Sequence, residues 1–145
     1  MARVKLDING HLIFKTRITV RISDINYGNH VGNDAFVSMI HEARLQWLKT
    51  KGFSELEIEG TGLIMSDLAL EFKQECFYGE EVEISITAGD ISKVSFELYY
   101  AIQTIRSGAF ILLVKAKTGM VCYNYEEKRV TGIPAALQVM LNTGL

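Results

Sequence analysis

One segment of the chain, Asp34 to Gly52, repeats its apolar residues at helical spacing, whereas most others alternate at strand spacing. Phe36, Ile40, Ala43 and Trp47 recur at i, i+4, i+7 and i+11, which places them on one face of an α-helix. Val37, Met39, Leu45 and Leu48 widen that face so far that the helix is expected to be buried on most sides. Gly32 or Asn33 is placed to cap its start and Asp34 to put negative charge in its first turn. Lys49 and Lys51 suit its negative end, and Gly52 can close it in the left-handed conformation.

A lone apolar helix needs a sheet to bury it, and the rest of the chain supplies one. Phe14, Thr16, Ile18, Val20 and Ile22 alternate with Lys15, Arg17, Thr19 and Arg21. Beyond the helix, Leu68, Leu70 and Phe72, then Val82 to Ala88, Val94 to Ile102 and Phe110 to Tyr123 read as strands. Turns at Tyr78-Gly79-Glu80, Gly89-Asp90 and Arg106-Ser107-Gly108 separate the last four as antiparallel neighbours. The segment from Phe110 is the most apolar, as a central strand should be. A short helix over Ala135 to Leu141 follows Pro134. Strand, buried helix, four antiparallel strands describes a single α+β domain over the 145 residues, its sheet curving round the helix.

Composition removes several function classes. A net charge of −2 argues against nucleic acid or an acidic membrane surface as partner. The longest purely apolar run, Ala109 to Val114, is strand length, and the start of the sequence has no apolar signal core. Cys76 and Cys122 show no ligand spacing and read as reduced thiols of a soluble cytoplasmic protein without metal or redox cofactor.

Polar chemistry is concentrated between the first strand and the helix. Ser23 to Asn33 carries a carboxylate (Asp24), amides (Asn26, Asn29, Asn33), an imidazole (His30) and two glycines. It ends where a helix exposes unpaired N–H groups and the positive end of its dipole, a natural seat for a developing negative charge. His30 can take a proton near neutral pH. Asp24 could do the same, and Asn26 could position water. Glu42, within the helix, reads first as an ion-pair partner of an arginine such as Arg44 or Arg21.

The run Asp24-Ile25-Asn26-Tyr27-Gly28-Asn29-His30-Val31-Gly32-Asn33, followed by Phe36 and by Glu42-Ala43-Arg44, resembles hotdog-fold thioesterases of the 4-hydroxybenzoyl-CoA thioesterase type. Those carry D-x-D-x-x-G-H-V-N-N-x-x-Y and then E-x-A-R. Phe77-Tyr78-Gly79-Glu80 and Thr131 to Pro134 extend the resemblance over residues 12–136. It implies a hotdog fold, an antiparallel β-sheet wrapped around a central α-helix, and acyl-CoA hydrolysis at a cleft between subunits of a homodimer or homotetramer. In the family the second acid of D-x-D is the usual catalytic carboxylate; Asn26 stands there, and an amide is neither base nor nucleophile. A second branch of hotdog thioesterases places its acid on the helix, where Glu42 stands, so the expected site is Asp24, Glu42 or His30 as base, Asn26 as water-positioning group, and the Gly32 and Asn33 amides as oxyanion donors. Two other readings stay open. An enoyl-thioester hydratase would use Asp24, Asn26, His30 and Asp34, although the histidine falls one residue late and no proline is present. A non-catalytic acyl-thioester binding protein would need none of them.

Overall fold

The structure, a computed structural model, describes residues 3–145. The chain forms β1 (His11–Thr19), α1 (Asn33–Lys49), β2 (Gly62–Phe72), β3 (Glu81–Gly89), β4 (Ser95–Arg106), β5 (Ala109–Asn124), β6 (Arg129–Val130) and α2 (Ala135–Asn142). The strands make one antiparallel sheet in the order β1-β3-β4-β5-β2, with β6 paired to β5. Its core joins Trp47, Ile40 and Leu48 of α1 to Ile13, Leu63, Ile84, Leu98 and Met120 from the five long strands. This is the hotdog arrangement, with α1 as the filling. No helix among the described residues is long and apolar enough to cross a membrane.

The helical spacing determines which face of α1 is buried: Phe36, Ile40, Ala43 and Trp47 are all at most 3% exposed. The helix is nonetheless less enclosed than its composition implies. Leu45 is exposed and Val37 only half-buried, and Ser38, His41 and Glu42 face outward. At its end Gly52 takes φ +76°, which lets the Phe53 N–H reach back to the Leu48 carbonyl at 3.1 Å.

Two strand boundaries differ from the alternation. β1 stops at Thr19, and Ile22, expected inside, is 71% exposed in a 3₁₀ turn over Ile22–Asp24. The Asp24 carboxylate causes the break by accepting the Arg21 N–H at 2.8 Å, a local bond that competes with the ladder. β2 begins at Gly62, well before Leu68, because a bulge between Met65 and Asp67 scrambles its alternation. Asp67 satisfies that bulge by accepting the Gly119 N–H at 2.8 Å. β2 is also an edge strand, so Ile64 and Met65 lie exposed on it.

Candidate active site

The loop before α1 is a stitched hairpin. Ile25 and Val31 form a β-bridge, the Asn26 N–H donates to the His30 carbonyl at 3.0 Å, and the Asn29 N–H donates to the Asn26 carbonyl. Asn29 closes it at φ +65°, a left-handed conformation that asparagine tolerates better than most residues and glycine best. The Asn26 Oδ1 accepts the Gly28 N–H at 2.9 Å, leaving its Nδ2 without an acceptor among the described residues. Val31, buried, donates its N–H to the Cys76 carbonyl at 2.8 Å and ties the loop to the β2–β3 connection.

At the helix start Gly32 is the N-cap and has no side chain to offer. Its N–H is already bonded to the Asp24 carbonyl at 3.0 Å, which corrects the expectation that Gly32 could serve as an oxyanion donor. The Ala35 and Phe36 amides turn back onto the Gly32 carbonyl. The N–H groups of Asn33 and Asp34 have no acceptor among the described residues, and both residues are exposed. The unpaired N–H of Asn33 at the positive end of a 17-residue helix is thus the local anion seat.

The candidate residues divide between two clefts. Asn33 and His30 line a cleft of about 470 Å³ with Phe36, Phe72, Lys73, Glu75, Phe77 and Arg106. Asp24 and Glu42 instead line a groove of about 540 Å³ between β1 and α1, among Arg17, Arg21, Ser38 and Gln46. Glu42 accepts the Gln46 Nε2–H at 2.7 Å and pairs with neither Arg44 nor Arg21. Arg44, buried, is held by Glu55 at 2.9 Å and by the Tyr100 hydroxyl at 3.2 Å. Asn26 lies in the loop between the two clefts and lines neither.

In the Asn33 cleft, the His30 Nδ1 lies 3.3 Å from the Val31 carbonyl, an atom that only accepts. That contact puts a proton on Nδ1 and leaves Nε2 as the basic atom. Nε2 faces Glu75 Oε1 at 3.9 Å. Arg106 builds the opposite wall: it grips Glu80 through two bonds of 2.7 and 2.8 Å, donates to the Glu75 carbonyl at 2.6 Å and covers the Phe77 ring at 5.4 Å. The Arg106 bonds hold the Glu80 carboxyl below the usual carboxylate range. The Phe36 and Phe72 rings meet at 6.1 Å between centroids.

Glu75 escaped the sequence reading because it sits in a connection with no periodicity. Arg106 and Lys73 line the same cleft. Cys76 and Cys122 are unpaired and fully buried, and burial pushes their thiols up to about 12 and about 11, so neither is a nucleophile at neutral pH. No group of three or more His, Cys, Asp or Glu side chains among the described residues could hold a metal.

No curated protein matches the sequence. Solved structures share the fold. The 1,4-dihydroxy-2-naphthoyl-CoA thioesterase Slr0204 from Synechocystis superposes with a TM-score of 0.78 at 23% identity, over 88% of this chain and 94% of that one. A 4-hydroxybenzoyl CoA thioesterase mutant complexed with 4-hydroxybenzoyl CoA gives 0.79 at 14% identity, over 89% and 98% of the two chains. The Dynemicin thioesterase, which binds a polyene, gives 0.81 at 17% identity, over 90% and 94%. The sequence profile of the thioesterase-like superfamily matches residues 20–141, which spans the polar loop, α1, all but the last residue of α2 and every strand but β1, and the chain belongs to that superfamily.

Proposed function

We propose that this protein is an acyl-CoA thioesterase that hydrolyses its substrate at the N-terminus of α1. The observation that carries the reading is the unpaired Asn33 N–H in the same cleft as the His30 Nε2, in a chain of this superfamily. The thioester carbonyl oxygen accepts the Asn33 N–H, and the helix dipole favours the negative charge that develops there. His30 Nε2 takes a proton from water, whose oxygen adds to the carbonyl carbon. The tetrahedral intermediate collapses with loss of the C–S bond, and the imidazolium returns the proton to the departing thiolate. Asn26, which lines neither cleft, has no part in this scheme. Each role has a usual size, about 10²–10⁴-fold for a general base and about 10²–10³-fold for one oxyanion donor.

The working unit in this reading is a homodimer or a homotetramer built from it. Among the described residues β2 is an unpaired edge of eleven residues that exposes Ile64, Met65 and Phe72, the kind of edge that pairs with a second copy. The test is thiol release from short, long and aromatic acyl-CoAs by the purified protein. Turnover of at least one supports the assignment. Tight binding of an acyl-CoA without turnover would refute it in favour of a non-catalytic binder.

A further inference from the structure

We propose that Glu75 is the carboxylate that works in place of the acid absent at Asn26, by holding the attacking water together with His30. This rests on the thioesterase reading and assigns a residue that neither the loop motif nor the helix contains.

Three observations converge on it. First, Glu75 is the one carboxylate among the described residues that line the cleft of Asn33 and His30; Asp24 and Glu42 line the other groove and have hydrogen-bond donors of their own. Second, its position is set by bonds to two successive backbone carbonyls. Its carbonyl accepts from Arg106 at 2.6 Å, and the next carbonyl, of Cys76, accepts the N–H of Val31, the residue after His30. The connection after β2 is thereby registered against the loop before α1, and Glu75 falls opposite His30. Third, its side chain is uncommitted. Arg106 spends its guanidinium on Glu80, and the one ionisable side chain within 4.0 Å of the Glu75 carboxylate among the described residues is His30, whose Nε2 lies at 3.9 Å.

That separation fits a shared water. An oxygen about 2.8 Å from both Nε2 and Oε1 sees the two atoms at about 90°, near the angle between its own O–H bonds. One proton then points at the imidazole and the other at the carboxylate, while a lone pair is left for the thioester carbon. When the water adds, its proton goes to Nε2 and the C–O bond forms. The Glu75 carboxylate stabilises the imidazolium until that proton passes to the leaving sulfur. Because it contacts the attacking water, Glu75 is a catalytic residue in this scheme and not only a neighbour of one.

The experiment uses the full chain and whichever acyl-CoA of the panel the wild type turns over best. Glu75→Gln is expected to lower kcat about 100-fold with KM within about twofold, and Glu75→Asp to keep more activity than Glu75→Gln. Added formate should restore part of the rate of Glu75→Ala, because the side chain is 65% exposed and its place is open to solvent. Combining Glu75→Gln with His30→Ala should cost little beyond the worse single change, since the two hold one water. The melting temperature of each Glu75 variant should match the wild type, which separates chemistry from folding. A Glu75→Gln enzyme with wild-type kcat, or one altered in KM alone, overturns the assignment while leaving the thioesterase reading standing. A wild type that turns over no acyl-CoA overturns both.

Discussion

The buried Arg44 provides the sharpest test of the packing argument. Its side chain is 5% exposed and makes two bonds, to Glu55 at 2.9 Å and to the Tyr100 hydroxyl at 3.2 Å; Tyr100 is completely buried. Arg44→Met keeps the hydrophobic stem and removes the guanidinium. Hydrogen bonds involving a charged group contribute about 1.5–3 kcal/mol each, so two would cost about 3–6 kcal/mol if nothing replaced them. Two features reduce that. Tyr100 keeps the Thr118 hydroxyl at 2.8 Å, and Glu55 is 21% exposed and keeps His41 at 2.6 Å. The expected loss is therefore about 3 kcal/mol, near the lower end for breaking a buried ion pair. In urea unfolding followed by circular dichroism, the midpoint should fall with the slope unchanged, and the melting temperature should drop by about 6–12 °C. Glu55→Gln should cost a similar amount, because it leaves the guanidinium buried beside a neutral group. A loss below about 1 kcal/mol for Arg44→Met would refute the claim that this network fastens α1 to the loop after it.

Other outcomes follow from the site and its supports. His30→Ala should lower kcat about 100-fold or more on the best acyl-CoA, read as initial rates of thiol release. Arg106→Gln should destabilise the protein at pH 7 by about 1–3 kcal/mol. The Glu80 carboxyl is depressed below its ordinary value of 4.5, first by its bonds to Arg106, so the wild-type advantage is complete above that pH and disappears as pH falls through the lower native value. Urea midpoints of the two proteins should therefore converge in acid. Asn29→Val should cost about 1–2 kcal/mol, since a β-branched residue is strained at φ +65°, whereas Asn29→Gly should be neutral or slightly stabilising in the same assay. Iodoacetamide at pH 8 should label neither Cys76 nor Cys122 until denaturant is added, as mass spectrometry would show.

What could be read without coordinates was what a single period encodes. The four residues Phe36, Ile40, Ala43 and Trp47 lie on one stripe and all are buried, because a helix has only one way to present that stripe to a sheet. The inward residues of β3 and β4 were equally legible, since Val82, Ile84, Ile86 and Ala88, then Phe96, Leu98, Tyr100 and Ile102, are all buried, and apart from a buried Thr87 these central strands keep their alternation. Edge strands do not. β2 carries a bulge and solvent on one side, so its pattern dissolved before Leu68, and a local carboxylate bond ended β1 early. The site suffered more from the same limit. Proximity along Ser23 to Asn33 made Asp24 and His30 look like neighbours, yet a hairpin turns them toward different clefts. The commitment of the Gly32 N–H to Asp24 depends on how that hairpin closes. Glu75 enters the cleft only through a backbone register between distant segments, which no spacing rule expresses.

The proposed pairing along the β2 edge would have a kinetic consequence. Phe72 is at once the last residue of that edge and a wall of the Asn33 cleft. Pairing of a second copy along β2 would therefore finish, or reshape, the cavity in which the thioester lies. In the proposed pair the rate per protein chain would cease to be a constant: it would fall on dilution below the dissociation constant of the pair and recover on concentration. An excess of an inactive His30→Ala chain added to dilute wild type would raise the wild type's own turnover by supplying edges alone.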